Sequence, residues 1–147
     1  MRRTLRTVII LMAALVLLPG TSLGAWAQPL DAAAPAASLA VDPTGIALRD
    51  GSARITGTYA CTSTVFAQLG GSLSQTVGRT KITGTFAVVD VACDGSVRPW
   101  EAYVTPTNGL FAGGKADYLV AVFACDQSGC VDAGDVGTVK LNRGKLR

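Results

Sequence analysis

Apolar residues recur at every second position through the middle of this chain. Ala53, Ile55, Gly57, Tyr59 and Cys61 alternate with Arg54, Thr56, Thr58 and Ala60. Ile82, Gly84, Phe86 and Val88 do the same against Lys81, Thr83, Thr85 and Ala87, and Trp100, Ala102 and Val104 repeat the pattern. Successive side chains of a strand point to opposite faces, so a period of two predicts half-buried antiparallel strands with one wet face. The run Ala116 to Cys125 is apolar on both faces after Asp117, which predicts a strand inside a sheet, and Val131 with Gly137 to Leu141 supplies a closing strand. Between these runs Asp42-Pro43-Thr44-Gly45 suits a β-turn, while Asp50-Gly51, Asp94-Gly95 and Asn108-Gly109 tolerate the positive φ of a type I′ hairpin. No stretch after Gln28 carries a capped 3.6-residue period. Short strands punctuated in this way predict an all-β domain, a sandwich or a small barrel.

The start of the chain reads as an export signal. Arg2, Arg3 and Arg6 precede an apolar run from Val8 to Leu18, and Ala25-Trp26-Ala27 forms a small-x-small cleavage site. The apolar run is too short to cross a bilayer core as a helix. The expected organisation is a signal peptide over 1–27, a flexible Ala/Pro spacer over 28–37, one folded domain over 38–141 and a basic tail over 142–147. The expected location is extracellular.

Four cysteines follow the signal: Cys61, Cys93, Cys125 and Cys130. An even number in an exported chain reads as two disulfides. Cys125 and Cys130 flank the turn-forming Asp126-Gln127-Ser128-Gly129, which favours the pairing Cys125–Cys130 and leaves Cys61–Cys93. A four-cysteine zinc site would show C-x2-C pairs, and a thioredoxin-type redox motif would be C-x-x-C. Neither spacing occurs.

Composition removes several chemistries. The whole chain has no histidine, so Ser-His-Asp and Cys-His nucleophiles and imidazole metal sites are excluded. From Gln28 onward basic and acidic residues balance, so the general cationic footprint of a nucleic-acid binder is missing. No cofactor and no metal site is expected.

Four segments taken together, Val41-Asp42-Pro43-Thr44-Gly45, Gly57-Thr58-Tyr59-Ala60-Cys61, Val91-Ala92-Cys93-Asp94-Gly95 and Ala124-Cys125-Asp126-Gln127-Ser128-Gly129-Cys130, resemble a family of small secreted actinobacterial immunoglobulin-like domains of unknown function. The resemblance covers most of Leu39 to Leu141 and brings no activity with it. A weaker one, to the neocarzinostatin-type apoproteins, rests on size, two disulfides and a late C-x4-C pair. The first bridge of those proteins closes a much shorter loop than 61 to 93, and Trp100 lies after Cys93 rather than between bridged cysteines as in true immunoglobulin domains. The resemblance implies an immunoglobulin-like antiparallel β-sandwich with two disulfides.

The candidate sites are few. Asp126, Asp132 and Asp135 cluster around the short disulfide loop, without the spacing of a calcium loop, and read as turn and solubility residues. Trp100, flanked by Arg98, Pro99 and Glu101, and the apolar pair Leu110 and Phe111 in the glycine-rich loop Thr105 to Gly114 form a possible binding surface, although the alternation of Trp100 with Ala102 and Val104 points its ring inward. Lys140, Arg143, Lys145 and Arg147 place positive charge near the C-terminus, suited to an anionic cell-wall polymer or membrane surface, or simply to a solvated tail. The expected function is a secreted, non-enzymatic binding or interaction module. Its partner would be an unknown protein, a cell-wall polymer or a small ligand, with no nucleic acid and no stable membrane span after signal cleavage. The alternatives are a carrier of a small hydrophobic ligand and a protease inhibitor with the 125–130 or 105–114 loop as bait.

Overall fold

A computed structural model describes residues 36–63, 65–89 and 91–144. The signal segment 1–27, the spacer up to residue 35 and the last three residues of the basic tail lie outside the described residues.

Eight strands follow one another: β1 (Ala37–Val41), β2 (Thr44–Ala47), β3 (Ala53–Cys61), β4 (Phe66–Val77), β5 (Thr80–Val89), β6 (Arg98–Pro106), β7 (Gly114–Cys125) and β8 (Cys130–Arg143). The alternation read from the sequence is their in–out pattern. Ala53, Ile55, Tyr59 and Cys61 on β3 are buried, as are Ile82 on β5 and Trp100, Ala102 and Val104 on β6. Both disulfides join the expected partners, Cys61 to Cys93 and Cys125 to Cys130.

The strands do not form an immunoglobulin-like sandwich. β3 has partners along both edges, β1 and β2 on one and β6 on the other. That second edge closes the sheet into a seven-stranded barrel in the order β3-β2-β8-β7-β4-β5-β6, with β1 extending β2 along the same edge of β3. The resemblance misled because sandwich and barrel share the same period of two. Alternation tells each side chain which way to point, and it is silent about which strand meets the free edge of β3. The closure leaves β3 without a free edge to shield.

Ile55, Leu69, Leu73, Val104, Val120, Val122, Val139 and Leu141 fill the interior and are fully buried. Trp100 joins them, 5 % exposed, its indole stacked on Phe86 with ring centroids 5.9 Å apart. The ring fits because Gly57 faces it from the paired position on β3, where a Cβ would stand 2.7 Å from Trp100 Nε1. The β5–β6 seam is thin, with only Gly84 opposite Pro106 and Thr85 opposite Thr105. Asn108 lengthens it: its amide accepts from the Thr83 N–H at 3.1 Å and donates to the Lys81 carbonyl at 2.9 Å.

Chain direction gives the barrel two distinct ends. Cys61, Cys93, Cys125 and Cys130 gather at one, where the β3–β4 connection crosses over. Ser63 stitches that crossing, donating its N–H to the Cys93 carbonyl at 3.2 Å and its hydroxyl to the Cys125 carbonyl. At the opposite end the β6–β7 connection, residues 107–113, crosses between strands that are not neighbours. Gly51, Gly95 and Gly109 all take positive φ (84°, 84° and 66°). Of those three turns only Asp50-Gly51 closes a hairpin; Asn108-Gly109 begins the crossing.

Candidate functional site

The crossing connection at the end away from the disulfides is pinned rather than loose. Gln75, a polar side chain only 4 % exposed on β4, donates its amide to the Ala112 carbonyl and accepts the Ala112 N–H, both at 2.8 Å. The Phe111 N–H donates to the Gly51 carbonyl at 2.9 Å. Phe111 is thereby turned into the barrel mouth, 4 % exposed, while its neighbour Leu110 stays 60 % exposed over Gly51. Of the three residues read from the sequence as a possible binding surface, Trp100 and Phe111 are therefore core and Leu110 is on the surface. They do not come together.

Beside this cap lies a cleft of about 280 Å³, close to the lower size of small-ligand pockets. Ala47, Leu48, Phe111 and Ala112 give it apolar walls, and Arg49 and Arg143 flank it. The turn carrying Arg49 is fixed by the Leu48 N–H, which donates to the Ser52 carbonyl at 2.8 Å. Asp50, next in sequence, accepts from the Ser52 hydroxyl and N–H at 2.6 and 2.9 Å, and these bonds hold its carboxyl below the usual range. Its carboxylate is thus engaged locally. Arg143 reaches the cleft at the end of β8, where the Gly144 N–H donates to the Ala47 carbonyl at 3.0 Å. Its stem lies along Gly113, at which a Cβ would come within 2.9 Å of Arg143 Cγ.

The charge balance from Gln28 onward conceals a segregated surface. Among the described residues two cations are in ion pairs, Arg54 with Glu101 at 3.3 Å and Arg98 with Asp94 at 2.5 Å. The Arg98 partner holds the Asp94 carboxyl far below the usual range. The remaining described cations, Arg49, Arg79, Lys81, Lys115, Lys140 and Arg143, all sit at or next to the cleft end of their strands. Lys115 and Lys140 are even cross-strand partners on the outer face. The tail expected over 142–147 begins later than the sequence implies, because β8 continues through Arg143 and makes Lys140 and Arg143 part of the barrel rim. Arg49, Arg79, Lys81 and Lys115 carried no local signal, since only the strand directions place them together.

Elsewhere the surface is less suggestive. A recess of about 160 Å³ at the disulfide end is lined by residues such as Ala36, Ala60 and Thr62, with no ionisable side chain. Asp126 and Asp135 have separate tasks, Asp126 capping its own hairpin through the Ser128 N–H at 2.7 Å and Asp135 bonding Tyr118, while Asp132 is exposed on β8. β7 pairs with β4 and β8 as expected of an inner strand, yet its outer face is uncovered, with Leu119, its partner Val136 and Phe123 exposed.

The profile of a family of unknown function (DUF6299) matches residues 35–141, and the chain belongs to that family. No curated protein matches the sequence.

Proposed function

We propose, from the premise of membership in a family without an assigned activity, that this domain is a secreted, non-enzymatic binding module whose recognition surface is the capped end of the barrel. The observation that carries the reading is the cleft of about 280 Å³ flanked by Arg49 and Arg143, neither of which has an ion-pair partner among the described residues. A pocket with apolar walls and a few convergent polar groups is the usual form of a ligand site. The chain has no histidine, and the cleft wall offers no nucleophile, acid or base suited to neutral pH. Two disulfides agree with an oxidising compartment.

The carrier alternative uses the same cleft differently, placing a hydrophobic ligand on Phe111 and Ala47. The inhibitor alternative is less favoured, because the 107–113 connection is pinned by Gln75 and tucks Phe111 inward, whereas bait must be presented outward.

Native mass spectrometry of the protein purified from its own culture medium separates these readings. A bound species retained by the natural chain and lost from Arg49→Gln/Arg143→Gln supports the module. A species that survives the double substitution favours the hydrophobic carrier. The same ligand displaced only by changes at Leu119 or Phe123 would move the site to the outer face of β7.

A further inference from the structure

Every described cation outside an ion pair lies at the cleft end of the barrel. They belong to the β2–β3 turn (Arg49), β8 (Arg143, Lys140), β7 (Lys115) and the β4–β5 hairpin with its following strand (Arg79, Lys81). In ring order these strands are neighbours, β2-β8-β7-β4-β5, so the positive charge follows an unbroken arc of the rim. Four strand spacings make that arc about 19 Å long. The acids beside the arc are Asp50, held by Ser52, Asp42, which accepts from the Thr56 hydroxyl, and Asp117, two residues along β7 from Lys115. Like charges so gathered repel one another, and Lys115 opposite Lys140 is a pairing that weakens a sheet. An anionic partner would offset that repulsion.

Resting on the reading of this end as the recognition surface, we propose that its partner is an extended polyanion bearing phosphate groups, with one phosphate between Arg49 and Arg143 and the next ones along the Lys140–Lys115–Arg79 arc. The arc is too long for one small anion to satisfy. The cleft has apolar walls flanked by the exposed Arg49 and Arg143, a recess that a chain can enter and a flat bilayer surface cannot fill. Arginine favours phosphate because its planar fork donates two parallel hydrogen bonds. The overall charge balance from Gln28 onward makes the attraction local to this rim instead of general over the molecule.

The test measures binding of medium-chain inorganic polyphosphate to the full domain from Gln28, by fluorescence anisotropy. Orthophosphate serves as the competing small anion, and phosphatidylglycerol vesicles provide the membrane arm. The expected result is saturable binding at low salt that weakens steeply between about 50 and 500 mM. Arg49→Gln/Arg143→Gln should weaken it at least about tenfold, the loss of two charge-assisted contacts. Lys115→Gln/Lys140→Gln should weaken it about three- to fivefold, as expected for exposed charges. Arg98→Gln, which removes the cation paired with Asp94 at the disulfide end, should bind as the natural chain does. Thermal melting of each variant separates lost binding from lost folding.

Absence of polyphosphate binding at low salt overturns the proposal, as does equal affinity in Arg49→Gln/Arg143→Gln. Orthophosphate competing as well as polymer reduces the site to a small-anion pocket and also overturns it. Binding to vesicles without binding to polyphosphate assigns the rim to a membrane surface instead. If polyphosphate fails while native mass spectrometry shows a ligand that depends on Arg49 and Arg143, the polyanion falls and the cleft stands. If neither depends on those residues, both fall.

Discussion

The phenol of Tyr118 donates to Asp135 Oδ2 at 3.1 Å, and the same oxygen accepts the Val41 N–H at 3.2 Å. β8 pairs in parallel with β2 only from Thr44 to Ala47, and before Pro43 the chain leaves the ladder. The Asp135 carboxylate therefore stands where a backbone acceptor would otherwise close the seam to β1. Tyr118 can lie across this place because its partner is Gly137, where a Cβ would come within 2.8 Å of the phenol oxygen. Asp135→Ala would strand the Val41 N–H, and the expected loss is about 1–3 kcal/mol by urea unfolding. Asp135→Asn keeps an acceptor and should lose less. Equal losses would show that the seam does not depend on that acceptor.

The same pair sets an alkaline limit. Burial, and then the bond to Asp135, pushes the Tyr118 phenol above its ordinary value of 10.0. A raised folded value leaves stability intact below the unfolded value and removes it as pH rises through the folded one, because the unfolded chain releases the proton first. Unfolding free energy should thus decline as pH rises past about 10, and Tyr118→Phe should decline less there. Identical slopes in the two proteins would remove Tyr118 from the explanation.

Trp100 is placed to fail by cavity formation. It is buried, stacked on Phe86, and fits over Gly57. Trp100→Ala should cost about 3–5 kcal/mol and lower the melting midpoint by more than about 10 °C. Trp100→Phe should be milder than its lost volume suggests. The indole Nε1 is buried with no hydrogen-bond partner, so replacing the ring also removes an unsatisfied donor. An unchanged midpoint in Trp100→Ala would contradict the burial.

The two bridges should differ in weight. Cys61–Cys93 closes a separation of 32 residues and Cys125–Cys130 one of 5. On the chain-entropy account the first is worth about 3.5–4 kcal/mol and the second about 2. Cys61→Ser/Cys93→Ser should therefore melt well below Cys125→Ser/Cys130→Ser. The reverse order would mean that Ser63, which ties the crossing chain to the carbonyls of both Cys93 and Cys125, already does the work of the longer bridge.

Strand content was legible where inward positions are apolar, and illegible where they are not. β3 was read to its observed ends because Ala53, Ile55, Tyr59 and Cys61 announce one face. The alternation does not predict β4. Its inward positions are Leu69, Gly71, Leu73 and Gln75, and the glycine and amide dilute the alternation. Of β1 only Ala37 falls in the expected spacer over 28–37, where it continues an Ala/Pro run. Closure depends on β3 meeting β6, a pairing of residues far apart that no local pattern encodes. The same holds for the site: Arg49 and Arg143 are 94 positions apart in the sequence and become neighbours only when β2 and β8 pair in parallel.

Gln75 is the residue on which the cap and cleft jointly depend. Its amide answers both backbone groups of Ala112 at 2.8 Å from a side chain that is itself buried. Gln75→Leu preserves approximate volume but takes both side-chain partners from the half-buried Ala112 backbone, an expected loss of about 1–3 kcal/mol in all. Phe111→Ala removes the plug itself and should cost about 3–5 kcal/mol. Leu110→Ala, one position earlier but 60 % exposed, should cost less than about 1 kcal/mol. Hydrogen exchange distinguishes local from global damage. In Gln75→Leu the Ala112 amide should exchange much faster than in the natural chain, while amides of β3 and β7 follow global stability alone. If Ala112 keeps its protection, the connection is held by Phe111 and the Gly51 carbonyl, and Gln75 is only a tolerated polar residue in the barrel wall.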